Sequence, residues 1–268
     1  MPAKRNKKHA KEHGKTEKPG FFYIVWWSVK FIFRGLWKAM RWLASLFRRK
    51  KVHEDMLPPD PQIKMLETIK GDFNKFWEQF CSQDSTIGIV IGARGSGKTA
   101  FALKLMENMK GQKENIYAMG FPSKKLPRWV KVVEDIKEIE NDSFVVIDEG
   151  GILFSSRDSM SEGNKMLSDL LLIARHKDLT IVFVSQNSSN IEINTMRQAD
   201  FLALKKSSLL QSEFERKVIA KLYEEYSAKF EKYMNDKGAT LIYGHDFVGF
   251  VDNSLPSFWS SDIGKSFK

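Results

Sequence analysis

Residues 89–106 read IVIGARGSGKTAFALKLM. A hydrophobic run stops at Gly92, and a helical pattern of apolar residues begins seven residues later. The link between them, GARGSGKT, fits G-x-x-x-x-G-K-[ST] at every position: Gly92, Ala93, Arg94, Gly95, Ser96, Gly97, Lys98 and Thr99. Gly92, Gly95 and Gly97 permit backbone angles that a side chain would forbid. Successive backbone N–H groups can then turn into one concavity, a nest for anionic oxygens. The following helix adds the positive end of its dipole. In this arrangement Lys98 is expected to reach the β- and γ-phosphates of a nucleoside triphosphate. The Thr99 hydroxyl is expected to ligate Mg²⁺, which keeps most of its waters and takes few protein ligands.

A phosphate site of this kind needs a second metal ligand. FVVIDE (144–149) supplies carboxylates where an apolar strand ends. Asp148 is expected to hold the Mg²⁺ shell, and Glu149 to orient or deprotonate the attacking water. A nucleotide switch manages with one metal-binding Asp, whereas a hydrolysing motor benefits from a resident base. The pair therefore favours ATP hydrolysis. A third apolar run, LTIVFVSQ (179–186), ends at Ser185 and Gln186. If it neighbours the strand ending at Asp148, the Gln186 amide lies beside the γ-phosphate and can bond both water and a phosphate oxygen.

Outward from these motifs the pattern is α/β. Strands are expected at 86–92, 115–121, 143–149, 179–186 and 199–206, and helices at 98–109 and 163–176. Near-continuous Val/Ile runs mark parallel strands buried on both faces, with helices covering each. A helix is expected over Ile63–Phe80, from Leu66, Ile69, Phe73, Trp77 and Phe80 at three- and four-residue steps. A second is expected over 212–235, with Phe214, Val218, Leu222, Tyr226, Phe230 and Tyr233 as its stripe. ATLIYG and FVGFVD flank a short turn, as in a terminal hairpin.

Charge is unevenly distributed over the 268 residues. Residues 1–51 carry 15 Lys/Arg and two acids, a net of +13, while residues 52–268 carry a net of −3. The overall +10 is thus no argument for a DNA-coating surface on the body. A single cysteine, Cys81, cannot form an internal disulfide. The expected organisation is a disordered basic arm (1–20), an amphipathic segment (21–51), a proline-rich linker (52–62) and an ATPase domain (63–268). Within that domain the motif core spans 85–206, followed by a C-terminal helix and hairpin at 207–268.

The order GARGSGKT, FVVIDE, ARHKDLTIVFVSQN, ADFLALKK resembles the FtsK/HerA superfamily of P-loop ATPases. In its compact size the chain resembles the zonula occludens toxin-like family, alongside phage assembly and viral DNA-packaging ATPases. The likeness covers about residues 85–206. It implies a P-loop core whose sheet carries an extra strand between the P-loop strand and the FVVIDE strand. It also implies a homo-oligomeric ring, typically a hexamer, that hydrolyses ATP to move DNA. Lys98 and Thr99 match the P-loop pair, Asp148 and Glu149 the metal ligand and catalytic glutamate, and Gln186 the polar sensor. Arg175 matches a position proposed to reach the neighbouring subunit's phosphate, with Arg157 and Arg197 as competitors for that role. Capsid or coat proteins join DNA as candidate partners. An assembly ATPase that does not grip DNA, and a membrane-recruited nucleotide switch, are the alternatives.

Residues 21–51 hold four tryptophans (Trp26, Trp27, Trp37, Trp42), and Lys30, Arg34, Lys38 and Arg41 fall on one helix face. A cation at the bilayer centre costs roughly 2.5–3.5 kcal/mol. A basic stripe opposite an aromatic-rich apolar face therefore suits a helix lying in the interface. The expectation is shallow anchoring on the cytoplasmic face of a membrane, with a tilted span or a helix packed on protein as the alternatives.

Overall fold

The computed structural model describes residues 63–82, 85–148, 160–191, 193–208, 214–260 and 262–263, with residues 123 and 160–167 described in backbone only. The expected arm, amphipathic segment and linker (1–62) lie outside the described residues, as do Glu149 and Arg157. The strands are β1 (Ile63–Gly71), β2 (Thr86–Ile91), β3 (Asn115–Met119), β4 (Lys131–Val132), β5 (Ser143–Asp148), β6 (Thr180–Ser185), β7 (Phe201–Leu204), β8 (Ala239–Gly244) and β9 (Phe247–Asn253). The helices are α1 (Phe73–Ser82), α2 (Lys98–Asn108), α3 (Met160–Lys177), α4 (Ile193–Arg197), α5 (Lys217–Glu225) and α6 (Ser227–Lys232).

Among the described residues, all nine strands join one sheet in the order β1-β9-β8-β7-β2-β6-β5-β3-β4. From β7 to β4 every pairing is parallel. The remaining pairs, β7 with β8, β8 with β9 and β9 with β1, are antiparallel. β6 lies between β2 and β5, which is the inserted strand that the motif order implied. β2 and β6 are buried along their whole length, and β5 up to its last residue. This follows from helices on both faces. On one face Phe80 of α1 and Phe101 and Leu105 of α2 pack on Val146 and Val182. On the other, Leu170 and Ala174 of α3 and Ile219 of α5 share a core with Ile89, Ile147 and Ile181. Cys81 is buried in the first of these cores, and burial pushes its thiol up to about 12.

Two expected elements differ. Residues 63–71 are strand rather than helix, and the helix begins only at Phe73, where the Asp72 carboxylate accepts from the Asn74 amide (2.8 Å). β1 pairs with β9 through a register that shifts twice, between Met65 and Glu67 and between Thr68 and Lys70. Each irregularity breaks the two-residue alternation, so the apolar spacing imitates a helix. The stripe at 212–235 is also different. α5 and α6 break at Tyr226, and Phe214 and Val218 are 63 % and 62 % exposed. Steps of four drift about 40° per turn around a 3.6-residue helix. The buried face keeps Leu222 and Tyr226 of that stripe and adds Ile219 and Tyr223.

Candidate functional site

Strand register brings the predicted residues to one edge of the sheet. Ile91 of β2 pairs with Ser185 of β6 and with Leu204 of β7, and Val184 of β6 pairs with Asp148 of β5. Gly92, Gln186, Asp148 and the residue after β7, Lys205, therefore lie along a single carboxyl edge, where parallel α/β sheets collect ligands. Gln186 is exposed, one residue past β6, and Asp148 is half-buried. Thr99 is half-buried in the first turn of α2.

The loop itself is shaped by backbone. Gly95 and Gly97 have φ of 76° and 93°, in the left-handed region. A Cβ at Gly97 would lie 2.8 Å from the Lys237 carbonyl oxygen, and one at Gly92 would lie 2.6 Å from Lys205 Cβ. The Ala93 amide donates to the Lys206 carbonyl (3.0 Å), tying the loop to the end of β7. Lys98 is buried, and its Nζ donates to the Ala93 carbonyl (2.8 Å), folding the ammonium back over the loop. Ser96 Oγ is buried with no hydrogen-bond partner among the described residues. An ammonium, an orphaned hydroxyl and a glycine cradle, with the Asp148 carboxylate on the same edge, fit a metal-bound polyphosphate.

Arg175 is exposed in the last turn of α3, near the amino-terminal end of β6. Six strand residues of about 3.3 Å each separate that end from Gln186. Arg175 is thus on the opposite sheet edge and does not join this chain's own phosphate loop. Arg197 is exposed at the end of α4.

Several residues of this edge escape sequence reasoning. Lys205 is fully buried beneath the loop. Its Nζ donates to the carbonyls of Lys237 (3.0 Å) and Gly238 (2.8 Å) and to Asn253 Oδ1 (3.0 Å). Burial lowers its pKa to about 7, against the opposing pull of Asp236 and Asp252. Ile63, the first residue of β1, pairs with Asn253, so β1 starts at this same edge. Beyond Gln186, the turn at 188–191 is held by Glu215 and Arg216. The Glu215 carboxylate accepts from the Ser188 amide (2.8 Å), and the Arg216 guanidinium donates to the carbonyls of Ser188 (3.0 Å) and Ile191 (2.8 Å). A lysine after a strand and an arginine before a helix read as ordinary surface charges, and no spacing marks them as buried or bonded.

A mainly parallel sheet with a full phosphate loop between β2 and α2 defines a P-loop NTPase. Within that class, residues 105–209 match the family described as Zonular occludens toxin (Zot), which bears out the resemblance read from the motifs. The match takes in Asp148, Arg175 and Gln186 and begins beyond the phosphate loop. No curated protein matches the chain. Among solved structures, the DNA-packaging ATPase B204 of Sulfolobus Turreted Icosahedral Virus is 14 % identical, with a TM-score of 0.45, over 64 % of this chain and 98 % of that one. ATPases 2 and 3 of EssC from Geobacillus thermodenitrificans are 13 % identical, with a TM-score of 0.45, over 78 % of this chain and 50 % of theirs. The pCW3 conjugation coupling protein TcpA is 11 % identical, with a TM-score of 0.43, over 75 % and 67 %.

Proposed function

We propose that this ATPase is a Mg²⁺-dependent motor that moves viral, phage or plasmid DNA, working as a ring at a membrane surface. The observation that carries the reading is the alignment of phosphate loop, Asp148 and Gln186 along the ends of β2, β6 and β5. The loop amides and Lys98 bind the triphosphate, with Lys98 exchanging the Ala93 carbonyl for phosphate oxygens. Thr99 and Asp148 are the residues that would hold Mg²⁺, which neutralises charge on the phosphates when bound. Glu149 takes a proton from the attacking water, and Gln186 orients that water. Arg175, remote from its own loop, is assigned to the neighbouring subunit's site. DNA as the cargo rests on the motif order and on the +13 N-terminal region, which suits phosphate backbones and anionic lipid alike.

The deciding experiment is phosphate release from the purified full chain with and without double-stranded DNA. DNA-stimulated hydrolysis that is lost in Lys98→Ala is the expected result. Hydrolysis indifferent to DNA removes DNA as cargo and favours an assembly ATPase. Absence of hydrolysis removes the motor.

A further inference from the structure

We infer that a strip of cations on the outer flank of the sheet, around β4, grips the phosphate backbone of duplex DNA. The inference deepens the DNA reading above and rests on it. Residues 52–268 carry a net charge of −3, yet residues 108–133 carry six Lys/Arg and one acid, a net of +5. Lys113 is buried against Asp142 (3.1 Å), and the other five cations are exposed. Residues 120–130 lead from the carboxyl end of β3 back to the start of β4, because the two strands pair in parallel. Lys124, Lys125, Arg128 and Lys131 are therefore strung along that flank. Lys110, from the turn before β3, joins them: its ammonium lies over the Trp129 ring, 5.3 Å from the centroid. β4 is four strand spacings from β2, roughly 19 Å at about 4.8 Å each, so the strip is separate from the phosphate loop.

The chain itself leaves most of this charge uncancelled. Lys131 pairs with Glu140 (3.1 Å), but among the described residues no carboxylate pairs with Lys110, Lys124, Lys125 or Arg128. The Lys125 ammonium donates to the Asp262 carbonyl (2.9 Å), a neutral acceptor that holds the side chain without offsetting its charge. Four uncompensated cations on one flank attract a polyanion. The apolar neighbours favour DNA over an anionic membrane. Leu126 and Val130 are buried, and half-buried Trp129 meets Phe258 edge-on (5.7 Å between centroids). A membrane surface is met by an apolar face exposed beside the cations, and none of the described large exposed apolar residues lies in 108–133. The same packing favours duplex over single strand. Edged by Phe258 and capped by Lys110, Trp129 is no open platform on which an unpaired base could stack.

The test is the salt dependence of duplex binding by the full chain, read from the anisotropy of a labelled duplex between about 50 and 200 mM salt. Each phosphate contact contributes about 0.9 to the slope of log K against log salt. Lys110→Gln, Lys124→Gln and Arg128→Gln combined are therefore expected to flatten the slope by about 2.7, and Arg128→Gln alone by about 0.9. The control is Lys70→Gln, Lys217→Gln and Lys221→Gln combined, which removes the same charge from exposed positions elsewhere and is expected to leave the slope near that of the wild type. ATP affinity is expected to hold in every variant; should the triple variant lose it, Arg128→Gln alone decides. Slopes unchanged in both strip variants overturn the inference, and so does equal flattening in the control. Duplex binding that holds while binding to phosphatidylserine vesicles falls gives the strip to a membrane and overturns it too. A wild-type chain that binds no duplex overturns the DNA reading above, and this one with it.

Discussion

Lys205 shows how a single buried residue can shape a loop from beneath. Its ammonium satisfies three acceptors, and its stem fills the space beneath Gly92 and Gly97. The native pKa of about 7 lies below the ordinary 10.5, so between these values the unfolded chain holds a proton that the native chain sheds. Native stability must then rise with pH across that window, and the penalty is fully present below about pH 7. Lys205→Met removes the titration. The stability difference, wild type minus variant, is expected to grow from pH 7 to pH 10 in denaturant melts, and a flat difference contradicts it. Gly97→Ala tests the cradle above. With φ at 93° and the Lys237 carbonyl in the way, it is expected to cost about 1–3 kcal/mol in the same melts. At the catalytic end, Glu149→Gln is expected to keep ATP binding and lose about 10²-fold or more in turnover, read by phosphate release. Turnover within about threefold of wild type excludes the glutamate as base.

At the scale of elements, the turn after β6 is latched to the start of α5 by Glu215 and Arg216. Such a latch holds the backbone from which Gln186 projects. Arg216→Ala is expected to lower kcat about tenfold with KM for ATP nearly unchanged, since small displacements of a positioning group cost rate before they cost binding. Equal losses in both would point to a collapsed site instead. The parallel core was readable because β2, β5 and β6 are buried on both faces and so appear as unbroken Val/Ile/Phe runs between glycine and polar punctuation. The phosphate loop was readable because its chemistry is local in sequence. β1 was not, since its pairing with β9 lies nearly two hundred residues away and its register shifts erase the alternation. Lys205 and Arg216 were hidden for a related reason. A long cationic side chain is identified by where the fold buries it, and nothing in its neighbours encodes that.

The whole molecule raises questions of assembly and attachment. Arg175 stands on the edge opposite its own loop, so its proposed work is done between subunits. Arg175→Ala is expected to be inactive alone but to recover partial turnover when mixed with Glu149→Gln, because some interfaces then pair an intact arginine with an intact base. Normal assembly with no recovery at any ratio refutes the trans role. For attachment, the measurement is fractionation of cells expressing the chain with and without residues 1–51. The full chain is expected with membranes and the truncated one free of them. A truncated chain that stays with membranes, or a full-length one that does not associate, removes the proposed anchor. Among the described residues, no helix is long and apolar enough to cross a bilayer.

Because three antiparallel pairings separate β1 from β7, β1 points opposite to β2 and begins where β2 ends. Ile63 faces Asn253, Asn253 holds Lys205, and Lys205 lies under Gly97. A tug on the polypeptide at residue 62 is therefore delivered within a few bonded contacts to the floor of the nucleotide cradle. Were the proposed motor held through its N-terminal region, tension there would become an input to the chemistry. Stretching the chain between residue 62 and a point on β5 is expected to loosen nucleotide binding in a force-clamp experiment. Unaltered dwell times under load, with β1 still paired, would show that the cradle is mechanically insulated.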